Sequence, residues 1–244
     1  MIVIPLAGLS SRFSKAGYKK PKYELELDGK TVFSHSVSSF SRYFEKERFL
    51  FIALKRPNIA QFVNAECASL NIKHYELILL EEPTKGQAET VYEGLCRSVY
   101  QKDESILIFN IDTFRPDFTY PEFVTDSDVA GYLETFIGSG SNWSNVVPDS
   151  AQPERVVLTA EKQNLSEYCC TGLYYWHSAE QYCRLFEEYS QKAPDAMQGN
   201  EYYIAPMYNM LIEKGGHVRY TVIDSDMVIF CGTPQEYEAL NNGE

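Results

Sequence analysis

Short apolar runs recur along the first half of the chain, and the stretches between them carry apolar residues at a helical period. Five runs have the length and composition of buried β-strands: residues 2–6, 49–54, 76–80, 106–110 and 129–133. Three of the intervening stretches each place apolar side chains on one helical face: residues 33–44, 59–70 and 88–99. Strands that alternate with helices of this length predict an α/β fold, with a mixed and mostly parallel sheet flanked by helices.

The second half of the chain is less regular but contains three helices with clear start signals. Its candidate strands are residues 155–160, 168–176, 218–223 and 227–231. Ser178 and Thr233 each begin a capping box, and Pro206 fits the first turn of a helix that stops at Gly215. The polar stretch 135–154 is too long for an ordinary connection, so we expect it to be either mobile or functional.

The chain is acidic, with a basic exception close to its N-terminus. Its formal net charge is −12, from 22 Lys and Arg against 34 Asp and Glu, which argues against a nucleic-acid-binding face. Five cations nevertheless lie together: Arg12, Lys15, Lys19, Lys20 and Lys22. This cluster suits a small anion. Because ligands of open parallel sheets bind at the carboxyl ends of strands, the loops predicted to form the site are those after Leu6, Leu80, Asn110 and Leu133.

The remaining composition is typical of a soluble protein from a reducing compartment. The chain of 244 residues is long enough for one well-buried α/β domain. Its six cysteines show no spacing of a metal site, and its four histidines share no spacing, so we interpret both as structural or surface residues. No signal-peptide pattern and no run of membrane-spanning length occur, so we expect a cytoplasmic protein with no membrane partner.

The turn behind the first strand has the chemistry of an anion site. A strand that ends at Leu6 and turns at Gly8 presents backbone N–H groups to phosphate oxygens. Arg12 adds a fork of donors, and Lys22, held after Pro21, adds a point charge. A glycine turn followed by a solvated basic loop is the alternative interpretation.

The order of motifs resembles the signature of the sugar-phosphate nucleotidyltransferases. That signature is an apolar strand, then Ala-Gly-x-Gly-Ser/Thr-Arg, then Pro-Lys about ten residues later. Here it reads Leu6-Ala7-Gly8-Leu9-Ser10-Ser11-Arg12 and Pro21-Lys22. The later motifs that extend the resemblance are EPTKGQAET from Glu82, NID from Asn110, EK from Glu161, TGLY from Thr171 and GTP from Gly232.

The resemblance implies a Rossmann-like, GT-A-like nucleotidyltransferase domain over residues 1–244. Residues 1–134 would form its nucleotide-binding half and residues 135–244 its acceptor-binding half. The implied reaction is attack by a phosphorylated small molecule on the α-phosphorus of a nucleoside triphosphate, with release of pyrophosphate and Mg²⁺ as cofactor. Such enzymes commonly serve capsule or surface-polysaccharide synthesis, and related cytidylyltransferases accept phosphorylated groups that are not sugars.

The resemblance also assigns roles to individual residues. Arg12 would hold the departing pyrophosphate, Lys22 would sit near the α-phosphate, and Asp112 would bind Mg²⁺. The nucleotide-binding residues would be Leu6, Ala7, Gly8, Ser10, Ser11, Glu82, Gly86 and Gln87. The acceptor-binding residues would be Glu161, Lys162 and Gly172. A carboxylate beside the base accepts from the exocyclic amine of cytosine, so Glu82 favours CTP unless it faces solvent.

Two positions depart from the family pattern. Ser10 replaces the second glycine of the signature, where it either crowds the phosphates or supplies a hydroxyl. Phe230 stands where the family commonly has a second metal-binding aspartate. We take Asp224 as the replacement ligand, with Asp226 or water as the alternatives.

Two other functions stay open at the level of sequence. A nucleotide-sugar glycosyltransferase of GT-A type would use Asn110-x-Asp112 as its metal motif, although it would not need Arg12 and Lys22 for a leaving pyrophosphate. A non-catalytic nucleotide-binding or scaffold protein would explain the departures at Ser10 and Phe230. Trp143 would either close over a substrate or form a contact within a homo-oligomer.

Overall fold

A mixed β-sheet of nine strands organises the chain in the computed structural model, which describes residues 1–192 and 201–243. The strands are β1 (Ile2–Leu6), β2 (Glu26–Leu27), β3 (Lys30–Thr31), β4 (Phe49–Leu54), β5 (Tyr75–Leu80), β6 (Ile106–Phe109), β7 (Thr113–Phe114), β8 (Val129–Ile137), β9 (Ser144–Pro148), β10 (Val156–Glu161), β11 (Tyr168–Trp176), β12 (His217–Ile223) and β13 (Ile229–Phe230). The helices are α1 (Ser11–Lys15), α2 (Val32–Ser38), α3 (Ile59–Ser69), α4 (Gln87–Arg97), α5 (Ala179–Gln191), α6 (Met207–Glu213) and α7 (Pro234–Asn241).

The parallel part of the sheet is built around β1. The strand order is β10-β9-β11-β6-β1-β4-β5, with β8 and β12 branching from β11. β1 pairs in parallel with β4 and β6, and β4 pairs in parallel with β5, whereas β11 runs antiparallel to β6 and β8. All five residues of β1 are buried, which explains its unbroken apolar sequence because helices cover both of its faces.

Two hydrophobic cores lie on the two faces of the sheet. Alternate side chains of β1 point to opposite faces, so Val3 joins one core while Ile2 and Ile4 join the other. The first core is closed by α4, α5 and α6, and the second by α2 and α3. Within the described residues, no helix has the length and hydropathy needed to cross a bilayer.

The sequence-based fold class is confirmed, and most element boundaries agree within two residues. The main difference concerns the stretch 135–154, expected as one long connection: 8 of its 20 residues are strand, because β8 continues to Ile137 and β9 covers Ser144–Pro148. Thr135, Ser144 and Asn145, in the strand parts of this stretch, are buried and hydrogen-bonded to other parts of the chain. Thr135 Oγ1 donates to the Thr221 carbonyl at 2.8 Å, and Asn145 Nδ2 donates to the Ser166 carbonyl at 3.3 Å.

The predicted strand at 227–231 is also shorter than expected. A 3₁₀ turn covers Ser225–Met227, and only Ile229–Phe230 pairs, antiparallel with β7. The predicted cap of α7 is confirmed, with Thr233 accepting from the Glu236 N–H and the Glu236 side chain accepting from the Thr233 N–H. These features place the Gly232 turn directly beside the end of β6, because the Cys231 N–H donates to the Asp112 carbonyl at 2.8 Å.

Candidate active site

Two adjoining cavities open at the carboxyl ends of the parallel strands. The first cavity, of about 580 Å³, is lined by the end of β1, the segment before α4 and the loop after β6. The second cavity, of about 540 Å³, is lined by the β6–β7 loop, part of β11, residues 142–144 and the turn before α7. Gln87, Asn110 and Asp112 line both cavities. A ligand in either cavity therefore meets these three side chains.

The β1–α1 loop forms one wall of the first cavity. Leu6, Ala7, Gly8 and Ser11 line it, as expected from the sequence. Ser10 does not line it, and its φ of 49° and ψ of 36° place it in the left-handed region, which glycine adopts at lower cost. The Ser10 hydroxyl accepts from the Lys22 N–H at 3.2 Å. The departure from glycine therefore ties the loop to the lysine that follows Pro21.

Lys22 and Asp112 form an ion pair in the first cavity. Lys22 Nζ donates to Asp112 Oδ2, and each side chain is about one-fifth exposed, at 21% and 20%. Lys22 begins a 3₁₀ turn (Lys22–Glu24) whose next residue, Tyr23, is buried against the core. The two residues lie 90 positions apart in sequence and meet because β1 and β6 are neighbours.

The start of α4 forms the opposite wall, and a second chain segment packs against it. Gly86 has a φ of 137°, and a Cβ at this position would lie 2.5 Å from the Tyr202 carbonyl oxygen. The Ala88 N–H donates to that carbonyl at 3.0 Å, and the Tyr202 N–H donates to the Lys85 carbonyl at 2.6 Å. Glycine is thus required by the approach of the Tyr202 backbone, which sequence reasoning did not foresee.

Three residues interlock at the junction of the two cavities. Gln87 Nε2 donates to Asn110 Oδ1 at 2.6 Å, and the Asn110 N–H donates to the Gly172 carbonyl at 3.1 Å. Gly172 has a φ of 95°, and a Cβ there would lie 2.3 Å from Asn110 Nδ2. The glycine of the TGLY motif therefore makes room for the asparagine of the NID motif.

A buried carboxylate forms part of the second cavity. Glu161 is 6% exposed and accepts from Ser144 Oγ, which lies 3.5 Å from the Tyr174 hydroxyl. Burial raises the pKa of Glu161, and the hydrogen bond from Ser144 opposes that rise. Lys162, although next in sequence, is exposed, and its Nζ bonds the Tyr203 hydroxyl and lies 4.5 Å from the centroid of that ring.

Aromatic rings form another side of the second cavity. Trp143 and Phe230 both line it, with ring centroids 4.6 Å apart, and Phe136 packs behind them at 5.1 Å and 5.3 Å. We call Trp143 and Phe230 the aromatic wall. Phe230 stands at the position of the family's second aspartate and packs against Trp143 and Phe136, and a carboxylate at this position would not make these ring contacts.

The other predicted residues are placed as follows. Arg12 is exposed and lines the second cavity rather than the first. Lys162 lines neither cavity, and the same is true of Glu82 and Asp224, both of which are exposed. Asp224 precedes the 3₁₀ turn Ser225–Met227 and lies outside both cavities that Asp112 lines, so the structure does not place it in the site as a second metal ligand.

Some lining residues were not assigned from the sequence. Ser144, Tyr203 and Glu236 line the second cavity, and Thr84 lines the first. Glu236 was recognised only as a helix cap, which it is: its Oε2 accepts from the Gly232 and Thr233 N–H groups at 2.8 and 2.9 Å. The capping-box pattern that contains Glu236 predicts the start of a helix and does not indicate that this residue lies beside a cavity.

Asp112 has the chemistry of a Mg²⁺ ligand. The described part of the chain contains no group of three or more acidic, histidine or cysteine side chains suited to a metal ion. A Mg²⁺ site does not require three such side chains, because the ion commonly takes one or two carboxylates and completes its coordination shell with phosphate oxygens and water. A single partly exposed carboxylate that lines both cavities therefore fits this ion.

Comparison with known proteins identifies the family. No model of a known protein family and no curated protein matches the chain. Among solved structures, the chain is similar to a nucleoside-diphosphate-sugar pyrophosphorylase from Vibrio cholerae RC9, with 46% identity, 99% of this chain and 100% of that chain covered, and a TM-score of 0.93.

More distant structures share the fold. They include the inositol-1-phosphate CTP transferase from T. maritima, at 14% identity over 98% of this chain and 94% of that chain, with a TM-score of 0.75. A UDP-glucose pyrophosphorylase complexed with UDP-glucose matches at 13% identity over 99% and 97%, with a TM-score of 0.74. With the motifs and paired cavities described above, the 46% identity over the full length shows that this chain belongs to the sugar-phosphate nucleotidyltransferase family of enzymes.

Proposed function

We propose that the protein couples a nucleoside triphosphate to a phosphorylated small molecule and releases pyrophosphate. The first cavity would bind the triphosphate and the second the acceptor. The observation that carries this proposal is the junction of the two cavities, where Asp112 and its partner Lys22 meet Asn110 and Gln87. The activity named for the Vibrio cholerae relative supports the same assignment.

Charge neutralisation and positioning would account for most of the catalysis. Both reactants are anions. A phosphate oxygen of the acceptor would form a bond to the α-phosphorus as the bond to the departing pyrophosphate breaks, so no protein nucleophile is required. Lys22 reaches the junction and Arg12 reaches the second cavity, where each would bind phosphate oxygens. Asp112 would hold Mg²⁺, which would supply positive charge to the phosphates.

The backbone geometry would pre-position these cations. Ser10 holds the Lys22 backbone, and the buried Phe13 anchors α1, which carries Arg12. Gly172 and Asn110 fix the edge that the two cavities share. A loop held in this way loses little freedom when substrate binds, so more of the binding energy is available for the transition state.

Several finer features belong to the same proposal. CTP is the first triphosphate to test, supported by the name of the T. maritima relative, although Glu82 lies outside the first cavity. We also propose a sugar phosphate as the default acceptor, a role in capsule or surface-polysaccharide synthesis, and a single cytoplasmic domain. The uridine nucleotide of the more distant UDP-glucose enzyme makes UTP the second candidate.

A pyrophosphate-release assay tests the proposed function. CTP, UTP, dTTP, ATP and GTP are each mixed with glucose 1-phosphate and with other phosphorylated small molecules, with and without Mg²⁺. We expect pyrophosphate release with one triphosphate, dependent on Mg²⁺, and abolished in Asp112→Asn. Release of a nucleoside diphosphate from a nucleotide-sugar, without any pyrophosphate-forming activity, would instead support the glycosyltransferase.

A further inference from the structure

We propose that Phe230, Trp143 and Glu161 determine acceptor specificity and select an acceptor whose organic part carries no second anionic group. This inference rests on the assignment of the second cavity to the acceptor in the proposed function. The residues concerned line that cavity together, and none of them is needed to neutralise the phosphates.

The aromatic wall offers an apolar surface to the organic part of the acceptor. Trp143 and Phe230 are each half-buried, packed on one side against Phe136 and open to the cavity on the other. Rings held in this way gain from burying C–H surface and gain nothing from contact with a carboxylate or phosphate oxygen. The wall exists because a phenylalanine occupies position 230, where the family pattern has an aspartate.

Glu161 adds a requirement for hydrogen-bond donors. Glu161 is 6% exposed, and among the described residues the direct hydrogen-bond partner of its carboxylate is a single hydroxyl, that of Ser144. A carboxylate can accept several hydrogen bonds, and burying it with only one costs free energy. A ligand with hydroxyl, amide or ammonium donors would complete them, whereas a ligand carboxylate would have no donor to offer.

The charged side chains that line the second cavity also disfavour a second anionic group on the acceptor. Among the described residues, four charged side chains line it: the carboxylates of Asp112, Glu161 and Glu236, and the cation Arg12. Asp112 is already paired with Lys22, which leaves Glu161 and Glu236 to face the organic part of the acceptor. Arg12 would be engaged by the acceptor phosphate. Lys162 interacts with the charge of Glu161, but it does not line the cavity, and its Nζ bonds the Tyr203 hydroxyl. A second anion on the acceptor would therefore face Glu161, Glu236 and the aromatic wall, with no second cation among the described residues that line this cavity.

Three probes that share one scaffold test the inference. Glucosamine 1-phosphate and glucuronic acid 1-phosphate each differ from glucose 1-phosphate in one substituent, an ammonium group at C2 and a carboxylate at C6. Binding is followed by tryptophan fluorescence in the presence of Mg²⁺ and α,β-methylene-CTP. Of the two tryptophans, Trp176 is fully buried in the core, so a ligand in the second cavity reports through Trp143, and Trp143→Phe gives the background signal.

We expect the wild-type chain to bind glucuronic acid 1-phosphate at least tenfold more weakly than the other two probes. Glu161→Gln should reduce that ratio to about threefold or less, since it keeps the shape and removes the charge. Phe230→Asp should widen the ratio, and Phe230→Leu, the matched control that stays apolar, should leave it near the wild-type value.

Equal or tighter binding of glucuronic acid 1-phosphate to the wild-type chain would overturn the inference, even if a variant fails to fold. An unchanged ratio in a folded Glu161→Gln chain would overturn the role of Glu161. If no probe binds while a triphosphate still raises the melting temperature, the acceptor assignment fails and the nucleotide assignment stands. If no triphosphate binds either, the proposed function itself fails.

Discussion

The ion pair between Lys22 and Asp112 makes a sharp prediction about metal binding. Lys22 Nζ occupies the one carboxylate that we assign to Mg²⁺, so lysine and metal compete for it when no nucleotide is present. Triphosphate removes the competition by giving Lys22 another anion. Lys22→Met should therefore strengthen the binding of Mg²⁺ to the nucleotide-free protein.

The magnitude follows from the burial of the pair. Opposite unit charges about 4 Å apart attract by about 4 kcal/mol at an effective dielectric constant of 20. Both side chains are about one-fifth exposed, so screening is incomplete, while desolvation and the ordering of a lysine side chain oppose the attraction by about 2 kcal/mol. The remainder, about 2 kcal/mol, corresponds to roughly a thirtyfold tighter metal affinity.

Isothermal calorimetry with Mg²⁺, and electron paramagnetic resonance with Mn²⁺, measure this affinity without turnover. Lys15→Met is the matched control, because Lys15 belongs to the same basic cluster but is exposed on α1. Its metal affinity should equal that of the wild type. Lys22→Met should also lower kcat by about 10²–10³, as the loss of one charged phosphate ligand does in other active sites. Unchanged or weaker metal binding in Lys22→Met would refute the reasoning.

Three further predictions concern the edge shared by the two cavities, the buried ion pair between Arg115 and Glu134, and the pH dependence of stability. Gly172→Ala should destabilise the protein by about 2–4 kcal/mol in urea unfolding, because its φ is 95° and the new Cβ would meet Asn110; a change below 1 kcal/mol would contradict the observed contact. Arg115→Met should cost about 3–5 kcal/mol, since it leaves Glu134, a 3.0 Å partner that is 2% exposed, without a counter-ion. The double variant with Glu134→Leu should recover most of that loss, and no recovery would argue against the pair. Burial raises the pKa of the Glu161 carboxyl in the folded protein. The contribution of this group to folding stability is therefore complete below the ordinary carboxyl pKa of 4.5 and is lost as pH rises through the folded-state pKa. Glu161→Gln should therefore raise the melting temperature at pH 7, and the difference should disappear below pH 4.5.

The parallel half of the fold could be predicted from sequence because burial on both faces leaves a clear pattern. β1 and β4 are continuous apolar runs, and their predicted boundaries are those of the structure. The stretch around β9 could not be predicted, because Thr135 and Asn145 are polar and yet fully buried. Their hydrogen bonds reach residues distant in sequence, which no local pattern encodes.

The candidate site likewise has some features that could be predicted from the sequence and others that could not. The glycine turn at Gly8 and the strand-end Asp112 could be placed because each follows an apolar strand directly. The contact of Gly86 with Tyr202 could not, because it joins residues that are 116 positions apart and involves backbone atoms alone. The packing of Phe230 against Trp143 likewise depends on β13 meeting the loop before β9, so the sequence showed only that the aspartate was missing.

The interlocked Gln87, Asn110 and Gly172 connect the binding equilibria of the two cavities. Because Gln87 and Asn110 line both, a ligand that orders this pair in one cavity changes the free energy of binding in the other. Thermodynamic linkage requires the effect to be reciprocal: the factor by which the triphosphate changes acceptor affinity must equal the factor by which the acceptor changes triphosphate affinity. An asparagine shared between two sites can thus make them cooperative without any movement of a domain.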